Sequence, residues 1–140
     1  MQFLISLSVI AATAYIHGFF LSLLMDYAEG LKSWVEQSPG TFRYTSVLAV
    51  SMIWVMIAHL TEVFVWASVL FVIGIFEAYE SSVYFSLVAY TTLGFGDIIL
   101  EENWRLLSGF IAANGFLVFG WSTAFQVEFF SRIHIEGESS

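Results

Sequence analysis

Tyr90 to Asp97 reads YTTLGFGD, and within it Gly94 and Gly96 alternate with Leu93 and Phe95. Glycine reaches positive φ cheaply, so the alternation lets the backbone turn where a side chain would resist. Such a loop offers oxygen: its carbonyls, with the Thr92 hydroxyl at one end. A bare glycine pair would read as an ordinary turn, but the full string between two long apolar runs is more specific. Three ionisable residues, His17, His59 and Glu62, lie near the middle of other apolar runs. In a membrane a charge there costs about 2.5–3.5 kcal/mol and calls for a partner. His59 and Glu62 are three apart and share a helix face. Their chemistry has three readings: a neutral hydrogen-bonded packing contact, a pH-sensing cluster, or a His/His/Glu metal site with suitable ligand types and no spacing signature. No G-x-x-x-x-G-K-[ST], H-E-x-x-H or G-x-S-x-G pattern is present, which points away from an enzyme.

The elements that must position these residues follow from composition. Of 140 residues, 59% are hydrophobic and only 11% charged, too apolar for a soluble domain of this size. The chain reads as a small integral membrane protein in contact with lipid. A net charge of −8 excludes nucleic acid as a partner, and the lack of cysteine excludes disulfides and thiolate metal sites. Phe3 to Met25 is long enough to span a bilayer. Ala12-Thr13-Ala14 resembles a signal cleavage site, but there is no basic leader and the apolar run continues past it, so residues 1–26 are predicted to be an N-terminal transmembrane helix. Residues 27–43 form a connection, part of it an amphipathic interfacial turn, broken at Ser38-Pro39-Gly40. Residues 44–76 form a second apolar run, long enough to require tilt. Residues 77–90 read as a shorter helix with Glu77 and Glu80 at its start, where the dipole favours carboxylates. Residues 98–103 return with Glu101 and Glu102, 104–131 form a last long helix, and 134–140 a short polar tail.

In this setting TTLGFGD resembles the selectivity filter of potassium channels, and residues 44–133 are similar to that family's pore module. The resemblance implies an all-α membrane protein with three transmembrane helices, a re-entrant pore helix (77–90), a filter loop (91–97) and an inner helix (104–131). It implies a homotetramer, since one chain supplies one loop, and a small bacterial-type member with an extra N-terminal helix. Backbone carbonyls of Thr92, Leu93, Gly94, Phe95 and Gly96 would replace the hydration shell of K+, with ions at Thr92 to Phe95 and no organic cofactor. Leu93 stands where Val is usual and Phe95 where Tyr is usual, which removes a bracing phenol. Tyr84 falls where an aromatic donor to the filter aspartate, Asp97, often sits. Val88 falls where some members place a carboxylate and cannot serve as one. Gly115 and Gly120 match hinge or close-packing glycines of the inner helix. Phe116, Phe119, Gly120, Thr123 and Val127 are predicted to share a pore-lining face, with Phe119 as hydrophobic gate. Asn114, on the opposite face, is predicted to bridge helices.

The family implies passive, potassium-selective conduction, with a weakly selective cation channel or a non-conducting structural or regulatory subunit as alternatives. With the filter facing outward, Lys32, Arg43 and Arg132 lie inside and only Arg105 outside. The N-terminus is then outside and the C-terminus cytoplasmic, in a bacterial inner (plasma) membrane.

Overall fold

The computed structural model describes residues 1–37 and 40–134, and all regular structure among them is helical. Residues 135–140 of the predicted tail, and Ser38 and Pro39 of the predicted break, lie outside the described residues. Helix α1 spans Gln2–Asp26, α2 Ala28–Glu36, α3 Thr41–Val72, α4 Tyr79–Tyr90 and α5 Arg105–His134. The helices α1, α3 and α5 are each long and apolar enough to cross a membrane.

Helix α1 turns its polar side inward. Its buried residues Ser6, Val9, Thr13, His17, Leu21 and Leu24 recur at three- and four-residue spacing, whereas Leu4, Leu7, Tyr15 and Phe19 are exposed. That is the arrangement expected where lipid, as apolar as leucine, surrounds the helices and small or polar residues hold them together. Thr13 Oγ1 reaches Asn114 Oδ1 on α5 at 3.2 Å, the helix-bridging contact expected of Asn114. Trp54 Nε1 of α3 donates to the Phe20 carbonyl at 2.8 Å.

The second run ends earlier than its hydropathy indicates. Residues 44–76 were expected to be helical, but α3 stops at Val72 because Gly74 adopts φ +78°. Gly74 N–H then donates to the Phe71 carbonyl and Ile75 N–H to the Leu70 carbonyl, the Schellman pattern that closes a helix on a left-handed glycine. The following helix starts at Tyr79 instead of residue 77. Within the 27–43 connection, α2 is a distinct nine-residue helix, tied to α3 by Arg43, which donates to the Trp34 carbonyl at 2.6 Å and lies over its ring.

Gln2 of α1 donates to the Asn103 carbonyl just ahead of α5, so both helices start at the same end. At the other end Leu24 and Ala28 pack with Val47, Phe129 and Ile133. Helices α1 and α5 therefore run parallel, with α3 antiparallel to both. Helix α4 packs against α3 and α5 through Phe85, Ala89 and Tyr90, which join Val63, Trp66, Leu70, Leu107 and Ile111 in the main core. Its last residue, Tyr90, meets α3 around His59 and Glu62, near the middle of that helix. The loop at residues 91–97 thus begins deep in the bundle.

Candidate functional site

The loop after α4 has an alternating backbone. Thr92, Gly94 and Gly96 have φ of 61°, 55° and 77°, and Thr92 is the one non-glycine at positive φ among the described residues. Leu93 and Phe95 between them therefore have ordinary negative φ. The foot of the loop is anchored on the helix it leaves: Thr92 N–H donates to the Ala89 carbonyl at 2.9 Å and Leu93 N–H to the Val88 carbonyl at 3.1 Å. Thr91 Oγ1 donates to the Leu87 carbonyl at 2.7 Å. These bonds occupy carbonyls that a helix C-terminus otherwise leaves without partners. In a single chain the loop is open, with Leu93 and Phe95 61% and 65% exposed.

Its far end is tied back by a side chain. Tyr84 Oη donates to Asp97 Oδ2 at 2.5 Å, and Asp97 Oδ1 accepts from Ile98 N–H at 3.1 Å. The Tyr84 hydrogen bond holds the Asp97 carboxyl below the usual carboxylate range, and the same bond raises the Tyr84 phenol. A depressed carboxyl contributes to stability above its ordinary titration range, and that contribution is lost as pH falls through the lowered value. Tyr84→Phe should therefore move the Asp97 titration back up towards the usual carboxylate range, read by carboxyl NMR of the labelled protein. An unmoved titration would show that the phenol does not govern the carboxylate.

At the foot of α4 lies a closed ring of buried side chains. His17 Nδ1 sits 2.8 Å from Glu62 Oε1, and His17 Nε2 sits 2.9 Å from Ser122 Oγ. Ser122 Oγ is 3.0 Å from His59 Nε2, and His59 Nδ1 is 3.1 Å from Tyr90 Oη. Tyr90 Oη closes the ring on Glu62 Oε2. His17, Glu62 and Tyr90 are fully buried, and His59 and Ser122 nearly so. The ring takes its members from α1, α3, α4 and α5, and ends one residue before Thr91. The three ionisable residues seen in the sequence are thus brought together, their ligand atoms within 4.8 Å of one another. Each imidazole nitrogen is already engaged with a ring neighbour. Tyr90 and Ser122 were not anticipated as members. Tyr90 read only as the end of a helix, and a lone serine in an apolar helix carries no sequence signal beyond its polarity.

Gly115 and Gly120 differ in their surroundings. A Cβ on Gly115 would lie 2.0 Å from the Tyr90 carbonyl oxygen, so α5 crosses α4 there with no room for a side chain. A Cβ on Gly120 would meet nothing within 4 Å. Phe116 is 70% exposed, and Gly120, Thr123 and Val127 are exposed with it. Phe119 lines one cavity with Thr123 and Val127. It is half-buried, with its ring centroid 4.4 Å from that of His59 and 5.5 Å from that of Tyr90. Three residues along a helix leave side chains about 60° apart, so Phe119 stands at the edge of the exposed stripe and also meets the polar ring.

A family model described as ion channel matches residues 58–132, more than half of the chain. Neither a curated protein nor a solved structure matches. The match takes in the second half of α3 with His59 and Glu62, α4, the alternating loop and nearly all of α5, and leaves α1 outside. With three helices able to cross a bilayer, this is an integral membrane protein, and it belongs to the ion channel family.

Proposed function

We propose that the chain conducts potassium passively through a pore formed by four copies, each contributing the loop Thr92–Gly96. The observation that carries this reading is the alternating backbone at Thr92, Gly94 and Gly96, set in the string TTLGFGD. Carbonyls of Thr92, Leu93, Gly94 and Phe95 would form stacked rings of oxygen around dehydrated K+. Helix α4 is the re-entrant pore helix in this reading, and its C-terminal end directs partial negative charge towards the cation path. Exposed Asp97, Glu101 and Glu102 beyond the loop concentrate cations at its mouth. Phe116, Thr123 and Val127, exposed on α5 in one chain, would line the path below the filter, with Phe119 set behind them against His59. With the filter facing out of a bacterial plasma membrane, the N-terminus lies outside and the C-terminus in the cytoplasm.

Reversal potentials of purified protein in planar bilayers, under opposed K+ and Na+ gradients, test the function. Potassium selectivity is the expected result. Similar permeation of both ions would favour a weakly selective cation channel, a consequence of Leu93 and Phe95 in the filter. Lack of current under every gating condition would favour a non-conducting subunit. The assembly is tested separately: mass measurement should give four times the 15.8 kDa chain, after subtraction of detergent. A conducting monomer or dimer would exclude the model.

A further inference from the structure

We infer that the Glu62–His17–Ser122–His59–Tyr90 ring is a binding site for one proton, beyond those of an ionised glutamate and two neutral imidazoles. The inference follows from counting hydrogens. The ring has five links: Glu62–His17, His17–Ser122, Ser122–His59, His59–Tyr90 and Tyr90–Glu62. Each needs one hydrogen. A carboxylate supplies none, while each neutral imidazole and each hydroxyl supplies one to the ring. With Glu62 ionised the members hold four hydrogens for five links and carry a buried negative charge. One more proton completes every link and leaves the ring without net charge.

Two arrangements, one the reverse of the other, satisfy all five members at once. In one, Tyr90 O–H donates to Glu62 Oε2, the protonated Glu62 Oε1 to His17 Nδ1, His17 Nε2–H to Ser122 Oγ, Ser122 O–H to His59 Nε2, and His59 Nδ1–H to the Tyr90 oxygen. Each member gives one hydrogen and accepts one, and no charge is buried. In an apolar interior that state is favoured, because a charge or a half-satisfied network there is costly. Ser122 Oγ also lies 2.9 Å from its own helix's Val118 carbonyl. A hydrogen spent there is withdrawn from the ring, so this contact competes with closure and does not replace it.

Loss of the proton has a defined local effect. Ionised Glu62 takes hydrogens from both His17 Nδ1 and Tyr90. The hydrogens of Ser122 and His59 then serve three links, His17–Ser122, Ser122–His59 and His59–Tyr90, so one of the three is always empty. The last of them, at 3.1 Å, joins α3 to the residue preceding the loop. Phe119 lies against both rings, so the change also reaches α5. The groups facing Glu62 are His17 from α1, His59 from α3 and Tyr90 from α4, while α5 presents Ser122, which does not titrate. A divalent ion would have to break these links to find ligands.

On the conduction reading proposed above, proton occupancy steadies the foot of the filter, and alkaline pH loosens it. Two measurements separate the ideas. Infrared difference spectra of the full protein in vesicles, from about pH 6 to about pH 10, should show a carboxylic acid band that disappears on alkalinisation and is absent from Glu62→Gln. An amide donates and accepts like a protonated carboxyl, so Glu62→Gln should keep the ring closed at all pH. In bilayers, wild-type open probability should fall at least several-fold over the same alkaline range, and Glu62→Gln should stay flat. A titrating band without current at any pH supports the proton site and sinks the conduction reading. Current without a Glu62 acid band at neutral pH overturns the proton site and leaves conduction standing. Current whose pH response is the same in wild type and Glu62→Gln overturns the coupling. Stoichiometric Zn2+ binding to the wild-type protein that abolishes the band at neutral pH would make the trio a metal centre and overturn the inference.

Discussion

Gly94→Ala or Gly96→Ala should abolish selective conduction. In one chain a Cβ on either glycine meets nothing within 4 Å, so the obstacle is the backbone conformation itself. Both residues have positive φ, where an L side chain costs roughly 1–2 kcal/mol per residue. Four copies in one ring multiply that cost, and the cheapest relief is to flip the peptide plane and turn a carbonyl off the axis. The permeability ratio should then collapse towards unity, or current should vanish, in bilayer recordings. Thr92→Ala should be milder, because it removes a hydroxyl and leaves a Cβ already accommodated at φ 61°. Gly30→Ala is the control, since that glycine lies in α2, outside both the loop and α5, and a Cβ there has open space. Retained selectivity in Gly94→Ala and Gly96→Ala would mean that the conducting loop lies elsewhere.

The second large effect is expected at Gly115→Ala. Its new methyl would stand 2.0 Å from the Tyr90 carbonyl oxygen and 2.8 Å from the carbonyl carbon. Both are backbone atoms at the end of α4, so no rotamer change relieves the overlap. Helix α5 must move off α4, and overpacking of this kind costs about 1–3 kcal/mol or more. The displacement falls on the residue that closes the polar ring and immediately precedes the loop, so stability and function should fail together. Thermal unfolding in detergent should show a clear destabilisation of Gly115→Ala, with Gly120→Ala near wild type or above it. Equal stability of the two variants would show that α4 and α5 do not meet at this close approach.

What was legible in the sequence was contiguous. The turning loop could be read because Gly94 and Gly96, which take positive φ, are near neighbours, and the three long helices because apolar runs of that length have few other uses. The amphipathic turn around Leu31, Trp34 and Val35 was visible for the same reason and became α2. The end of α3 was misjudged because hydropathy continues through Phe76, whereas the terminating signal, Gly74, acts through backbone handedness. The ring was legible only in its histidines and its glutamate. Glu62 and His59 share a helix, but His17 and Ser122 are 105 residues apart, and only tertiary packing brings them together. Helical spacing groups Phe119 with Thr123 and Val127, and they do line one cavity, but its contact with the His59 and Tyr90 rings depends on residues far apart in the chain.

The ring also bears on how the chain is made. Its members appear in the order His17, His59, Glu62, Tyr90 and Ser122, so during synthesis Glu62 enters the membrane before two members of the ring exist. At that moment the hydrogen-bonding partner available from an earlier helix is His17. Chains are generally built and folded from the N-terminal side, and an uncompensated ionisable group in a span weakens its insertion. Helix α1, which lies outside the matched family region, thus supplies the one ring neighbour of Glu62 that precedes it in the chain.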